Sequence, residues 1–351
     1  MATACQDDEQ LMETTSTEWS IPSELLSIDS CFFPESYPFG PQIIPPTQGN
    51  EIHKIAFDPL DDNAIYITTW KRTSPGIEAF VENSELYRLD LVQNTSTFIS
   101  TLTDFNQDEL MLNQHGELLS EAMGEGLTIF DLSSLELIQE QVVQDEYTSL
   151  HGATWITDAT FWLHVGIFAE NGQPGGALVR YTDTGLALDT FEHRSSNILQ
   201  EVSPLRNEQM IITSRSRVQY SHSLYLYDLA QNELVDSLEK PSVPDFRVEN
   251  GLGRPYWLND QQVLLQFTTL FLLADLASET YQVVPSQLVS LTSGCRNYQI
   301  SSVQVVPNRP NEILYVLNQF FYTASGEYRK RHDLIHLNVE TGEERVLLID
   351  L

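Results

Sequence analysis

Apolar residues along this chain come in short runs of four to six, each broken by a turn, with none of the 3.6-residue period of a helix. One run recurs. It reads Leu86-Tyr87-Arg88-Leu89-Asp90-Leu91, then Leu127-Thr128-Ile129-Phe130-Asp131-Leu132, then the weaker Ala177-Leu178-Val179-Arg180-Tyr181-Thr182. Leu224-Tyr225-Leu226-Tyr227-Asp228-Leu229, Leu270-Phe271-Leu272-Leu273-Ala274-Asp275-Leu276 and Leu334-Ile335-His336-Leu337-Asn338-Val339 follow. With Asp90, Asp131, Thr182, Asp228, Asp275 and Asn338 as markers, the steps are 41, 51, 46, 47 and 63 residues. A period of roughly 45 residues built from β-type runs predicts propeller blades rather than a helical solenoid.

Two further runs precede each marker run and one follows it. Ile55-Ala56-Phe57-Asp58-Pro59 turns into Ile65-Tyr66-Ile67, and Val305-Val306-Pro307 turns into Ile313-Leu314-Tyr315-Val316, with weaker versions between. The fourth run passes through Phe98-Ile99, Leu137-Ile138, Leu186–Leu188, Leu234-Val235, Tyr281–Val284 and Val346–Ile349. We label the four runs a, b, c and d. The Asp that ends strand c is expected to accept backbone N–H bonds in the turn to strand d. Asp58, Asp61 and Asp62 are assigned to turn solvation, because their spacing is not that of a calcium loop.

Residues 51–351 hold six complete units, which predicts an all-β fold, a six-bladed β-propeller of four-stranded antiparallel blades. A seventh blade from residues 21–50 is the alternative, although that stretch is Pro-rich and short for four strands. Residues 1–20 read as a flexible leader or tether, and 21–50 as an N-terminal extension packing on the ring. The ring is expected to close by packing the sixth blade on the first, with residues 40–50 adding an outer strand.

The pattern resembles bacterial six-bladed propellers of the TolB and YVTN-repeat kind, over about residues 51–351. There is no Trp-Asp dipeptide ending each blade, no paired-glycine kelch signature and no Trp-docking repeat. The resemblance implies a fold and brings no active site with it.

The 50 acidic and 18 basic residues give a formal net charge of −32. Nucleic-acid affinity is mostly phosphate neutralisation by Lys and Arg, so no nucleic-acid partner is expected. Such acidity is also a habit of salt-adapted proteomes, and then reports habitat rather than ligand. No apolar run approaches the roughly 20 residues that span a bilayer.

Small residues before Cys5 and an acidic run after it are similar to the end of a bacterial lipoprotein signal, whose apolar core is absent from the sequence. That likeness implies lipidation at Cys5 and a periplasmic or cell-surface location, with membrane contact only through the lipid. The alternative is a cytoplasmic protein with incidental thiols. In an exported chain Cys31 and Cys295 remain as a pair, expected to form a disulfide that clasps the closed ring. Closing so long a loop would contribute on the order of 4–5 kcal/mol in the chain-entropy picture.

In a propeller the b–c and d–a connections emerge on one face, and by this map they carry eleven of the eighteen basic residues: Lys71, Arg72, Arg215, Arg217, Arg329, Lys330 and Arg331 between b and c, and Arg194, Arg247, Arg254 and Arg296 between d and a. The candidate ligand-binding residues are Trp70, Lys71, Arg72, Arg215, Arg217, Tyr220, His222, Arg254, Phe321, Tyr322, Arg331 and His332. Arg forks grip carboxylate or sulfate and aromatic faces stack on sugars, so the expected ligand is an anionic glycan, a carboxylate or an acidic protein surface. The alternative is that these connections are merely long and collect charges of both signs. No H-E-x-x-H, C-x-x-C, G-x-S-x-G or phosphate-cradling glycine loop is present. The chain is accordingly expected to be a non-catalytic monomer without cofactor or metal. The competing readings are a hydrolase, lyase or lactonase at the channel mouth, using His151, His193, His222 and Arg254 with Glu249, and a cytoplasmic interaction hub. A metal held by His53, His151 and His193 is a further alternative.

Overall fold

The computed structural model describes residue 43 and residues 51–72, 81–102, 110–122, 126–132, 137–141, 149–157, 159–168, 174–193, 197–202, 209–216, 222–228, 231, 233–239, 254–267, 270–286, 298–322 and 328–350. These residues form 24 strands in six four-stranded antiparallel sheets, each paired in chain order. The first sheet holds β1 (Glu51–Asp58), β2 (Asp61–Arg72), β3 (Val81–Asp90) and β4 (Thr95–Leu102). The second holds β5 (Met111–Leu112), β6 (Glu117–Ala122), β7 (Gly126–Asp131) and β8 (Leu137–Gln141). The third runs β9 (Ser149–Thr157), β10 (Thr160–Phe168), β11 (Pro174–Thr182) and β12 (Ala187–His193). The fourth runs β13 (Asn197–Val202), β14 (Gln209–Ser216), β15 (His222–Asp228) and β16 (Glu233–Glu239). The fifth has β17 (Pro255–Trp257), β18 (Gln262–Gln266), β19 (Phe271–Asp275) and β20 (Thr280–Val283). The sixth has β21 (Tyr298–Val305), β22 (Glu312–Tyr322), β23 (Tyr328–Asn338) and β24 (Glu344–Asp350).

The fold is an all-β propeller of four-stranded antiparallel blades. Neighbouring sheets adjoin mostly through their first strands, β1 with β5, β5 with β9, β9 with β13 and β17 with β21, while the fourth and fifth meet at β14 and β17. β1 also lies against β21, β22 and β23.

Packing explains why the strands read as unbroken apolar runs. Side chains alternate between the two faces of a strand, and here both faces are covered. In β22, Ile313, Tyr315 and Leu317 pack with Leu264, Phe271 and Leu273 of the fifth sheet, while Leu314 and Val316 pack with Ile65 and Ile67 of the first. β19 divides in the same way, because Leu272 and Ala274 pack with Ile211 and Leu224 of the fourth sheet. Full burial of one such aliphatic side chain contributes roughly 1.5–3 kcal/mol. The outermost strands face water on one side, where Phe98, Leu188, Leu234 and Val283 are exposed.

Five of the six strand-c markers do the turn work expected of them; the turn after Asp131 lies outside the described residues. Asp90 accepts from the N–H groups of Val92 and Gln93, Asp228 from Gln231, Asp275 from Ser278, and Asn338 from Glu340 and Thr341. Thr182, the stand-in, accepts from the Leu186 N–H through its hydroxyl. The Asp58 and Asp61 carboxylates likewise cap their own turn, accepting from the N–H groups of Leu60 and Asn63. Gly342, in the last c–d turn, has a φ of +72°, and a Cβ there would stand 2.4 Å from the Pro285 carbonyl oxygen. Both facts demand glycine.

Residue 43 supplies a further closure. The Ile43 N–H donates to the Leu347 carbonyl at 2.9 Å, so the chain ahead of β1 touches β24, the outer strand of the last sheet. Its side chain is buried in the cluster shared by the sixth and first sheets; Ile43 is not itself in a strand, and the rest of the stretch 40–50 expected to add one lies outside the described residues. Cys5, Cys31 and Cys295, with the lipid and disulfide assigned to them, lie outside the described residues.

Candidate functional site

In an up-and-down sheet, strands b and d finish, and strands a and c begin, at one end. Trp70, Lys71 and Arg72 close β2, Arg215 is next to last in β14, His222 opens β15, and Phe321 and Tyr322 close β22. Arg254 stands just before β17, and Arg331 and His332 lie in the first half of β23. Ten of the expected site residues therefore share one end of the first, fourth, fifth and sixth sheets. Arg217 and Tyr220 lie outside the described residues, as does Glu249. His151 in β9 and His193 at the close of β12 belong to the same end.

The sequence reading placed Lys71, Arg72, Arg215, Arg329, Lys330 and Arg331 in connections, and this is corrected. All six are strand residues: Arg72 pairs with Val81, Arg215 with His222, Phe321 with Arg329, and Tyr322 with Tyr328. A β-ladder is made of backbone hydrogen bonds, so it continues through polar residues after the apolar run has ended.

Arg331 and His332 depart furthest from the expected exposed basic loop. Arg331 is fully buried, its Nε donating to Asp333 Oδ1 at 2.6 Å and its Nη2 lying 2.5 Å from Oδ2. Gln319, opposite Arg331 in the ladder, donates to the same carboxylate at 3.1 Å. This bidentate pair lies on the face of β23 that carries Ile335 and Leu337 toward the fifth sheet. The guanidinium thus serves the interior rather than a surface ligand.

His332, buried on the other face, has Nε2 3.6 Å from Glu51 Oε2 at the start of β1. Glu51 is in turn the ladder partner of Trp70. The last and first sheets therefore meet at the site through a histidine and a carboxylate. Glu51, Gln319 and Asp333 were missed in the sequence reading. Asp333 carried a signal, since Arg-x-Asp within a strand puts both side chains on one face. Glu51 carried none, because only the adjacency of β1 and β23 brings it to His332.

At this level the interior turns polar. Thr68, Thr69, Asn318 and Gln319 succeed the aliphatic residues of β2 and β22, and the Thr68 and Thr69 hydroxyls and the Asn318 and Gln319 carbonyls have no hydrogen-bond partner among the described residues. Leaving such a group buried and unmatched costs about 1–3 kcal/mol. Arg254 is half-buried, with its guanidinium carbon 5.8 Å from the Tyr256 ring centre. Burial pushes its pKa down and the Tyr256 phenol opposes this. Among the described residues no three His, Cys, Asp or Glu side chains cluster as metal ligands.

No family model matches the chain, and no curated protein matches it. Among solved structures, the chain is similar to the β-propeller domain of the Trilobed protease from Pyrococcus furiosus, with 17% identity and a TM-score of 0.49 over 84% of this chain and 83% of that one. It is also similar to the calcium-binding protein regucalcin from Agrobacterium tumefaciens strain C58, with 11% identity and a TM-score of 0.49 over 80% of this chain and 86% of that one.

Proposed function

We propose that the chain is a six-bladed ring that binds an anionic ligand at the end where strands b and c connect, without catalysing a reaction. The ligand is an anionic glycan, a carboxylate-bearing molecule or an acidic protein surface. One observation carries this reading: Lys71, Arg72, Arg215 and Arg254, with Trp70, Phe321, Tyr322 and His222, share one end of four sheets in a chain of net charge −32. Cations concentrated there attract anions that the rest of the molecule repels, and the aromatic residues supply stacking surfaces. The closed ring is supported by the packing of β1 on β21, β22 and β23. Export and a lipid on Cys5 complete the proposal, and metabolic labelling with a fatty acid tests them.

The binding test uses immobilised polygalacturonate, with neutral dextran as the control. Retention on the polyanion at low salt is expected, and at least a tenfold loss on combining Arg72→Glu with Arg215→Glu. Equal retention of wild type and variant, or equal retention on dextran, overturns the reading.

A second reading is a hydrolase, lyase or lactonase at the same end, and the placement of His151, His193 and His222 there favours it. Turnover of a lactone or glycoside panel, lost on His222→Gln, would replace the first reading with this one.

A further inference from the structure

The opposite end of the sixth sheet holds a second charged constellation, and the first sheet provides its internal comparison. The position two residues before the strand-c marker is Arg88 in the first sheet and His336 in the sixth. The first residue of strand b is Asp61 in one and Glu312 in the other. In the first sheet Arg88 donates to Asp58 Oδ2 at 2.9 Å and to Asp61 Oδ2 at 2.6 Å. One cation between two carboxylates is closed on itself.

In the sixth sheet the balance is reversed. Glu312 Oε2 is 2.8 Å from His336 Nε2 and accepts from Arg309 Nη1, also at 2.8 Å. Arg345, the ladder partner of His336, donates through Nη2 to Glu343 Oε1 at 2.6 Å. Arg309, Glu312, His336, Asn338, Glu343 and Arg345 together line a cavity of about 210 Å³. Among the described residues Nε2 is engaged by Glu312, which leaves Nδ1 of His336 for a ligand, and Arg309 commits only Nη1 of its fork. Two guanidiniums and an imidazole against two carboxylates make a lining that is neutral with His336 neutral and positive once it is protonated.

We propose that this cavity is a proton-gated site for a small oxyanion, a sulfate, phosphate or carboxylate group, held by Arg309, Arg345 and the imidazolium of His336. The groups facing the imidazole are Glu312 from β22, Arg309 from the a–b turn, Glu343 from the c–d turn and Arg345 from β24. In the empty cavity burial is the main force holding the His336 pKa down; Glu312 opposes it, while Arg309 and Arg345 add to it. An anion between the two guanidiniums cancels their repulsion, His336 takes a proton from water, and Nδ1 becomes a donor to the ligand. Binding and protonation are thus linked, so the anion binds more tightly in acid.

The test follows the His336 ring signal by NMR in the full chain, assigned with His336→Gln, while sodium sulfate replaces sodium chloride at constant ionic strength. Sulfate keeps both charges across the range, so its own titration does not intrude. We expect saturating sulfate to raise the His336 pKa by about one unit, which is tenfold tighter binding in acid than in base. The double variant Arg309→Gln with Arg345→Gln alters two half-exposed side chains and is expected to retain the fold while losing the sulfate-induced shift. No shift beyond that in chloride, or the same shift in the double variant, overturns the proposal. The readout is local to this end of the sixth sheet, so it stands or falls separately from binding at the opposite end.

Discussion

The backbone N–H of Ile55 donates to the hydroxyl of Ser302 at 2.9 Å, joining the first strand of the first sheet to the first strand of the last across 247 positions of sequence. Ser302 reaches it from a left-handed conformation, φ +41°, at the irregularity between Ser301 and Val303 in β21. Strain and hydrogen bond act at the same residue and can be separated. Ser302→Ala keeps the strain and strands the buried amide, so a loss of about 1–2 kcal/mol is expected in urea unfolding. Ser302→Gly relieves the strain and should lose less. Equal losses would show that the strain contributes nothing, and an alanine variant as stable as wild type that the hydroxyl contributes nothing.

Ile43, described ahead of β1, is expected to contribute to stability. It is buried where the sixth and first sheets meet, beside Leu347 and Leu348. Ile43→Ala should cost about 2–5 kcal/mol by thermal or denaturant unfolding. Ile43→Val, which keeps most of the volume, should cost about 0.5–1.5 kcal/mol.

The reassignment of Arg331 from ligand residue to interior residue is directly testable. Arg331→Met leaves the buried Asp333 carboxylate without its charged partner, and a loss of about 3–5 kcal/mol is expected. Replacing both, Arg331→Met with Asp333→Leu, should recover much of that loss. Retention on a polyanion by the double variant should match wild type. Weakened retention would return Arg331 to the binding surface.

Acid should begin to destabilise the fold earlier than carboxylate titration alone would require. Burial holds the folded-state pKa of His336 below its usual value, so as pH falls from about 6.5 the unfolded chain takes up the proton first and stability declines. In chloride, His336→Gln should flatten the stability profile between that point and the folded pKa. An unchanged slope would show that His336 is not a source of it. Asp61 adds a loss in the same direction at lower pH, since the Asn63 N–H and the Arg88 guanidinium hold its pKa low. Its contribution is complete above the ordinary carboxylate range and is lost only as pH falls through the lowered value.

That the chain is an all-β propeller of four-stranded blades was legible in the sequence, the site only in part. The strand-c runs and their closing Asp could be read because a local rule produces each: two-faced burial makes the run apolar, and the turn needs an acceptor. Thr182 was recognisable as a stand-in because its hydroxyl offers that acceptor. The far ends of β2, β22 and β23 were hidden, since Lys71, Arg72 and Arg331 belong to ladders held by backbone bonds that leave no mark on side-chain polarity. The contacts of His332 with Glu51 and of Ile55 with Ser302 were beyond reach for another reason. They exist only once the first and last sheets meet, and no local pattern encodes a partner so far along the chain.

The hold of Leu347 on Ile43 carries a consequence for synthesis. A nascent chain has its first sheet complete hundreds of residues before the strand that covers it leaves the ribosome, so Ile43, Ile65 and Ile67 wait uncovered while the rest is translated. Such a seam is an invitation to wrong neighbours, including the same seam on another nascent copy. Cells making this protein would gain from a chaperone that occupies the first sheet until β24 emerges.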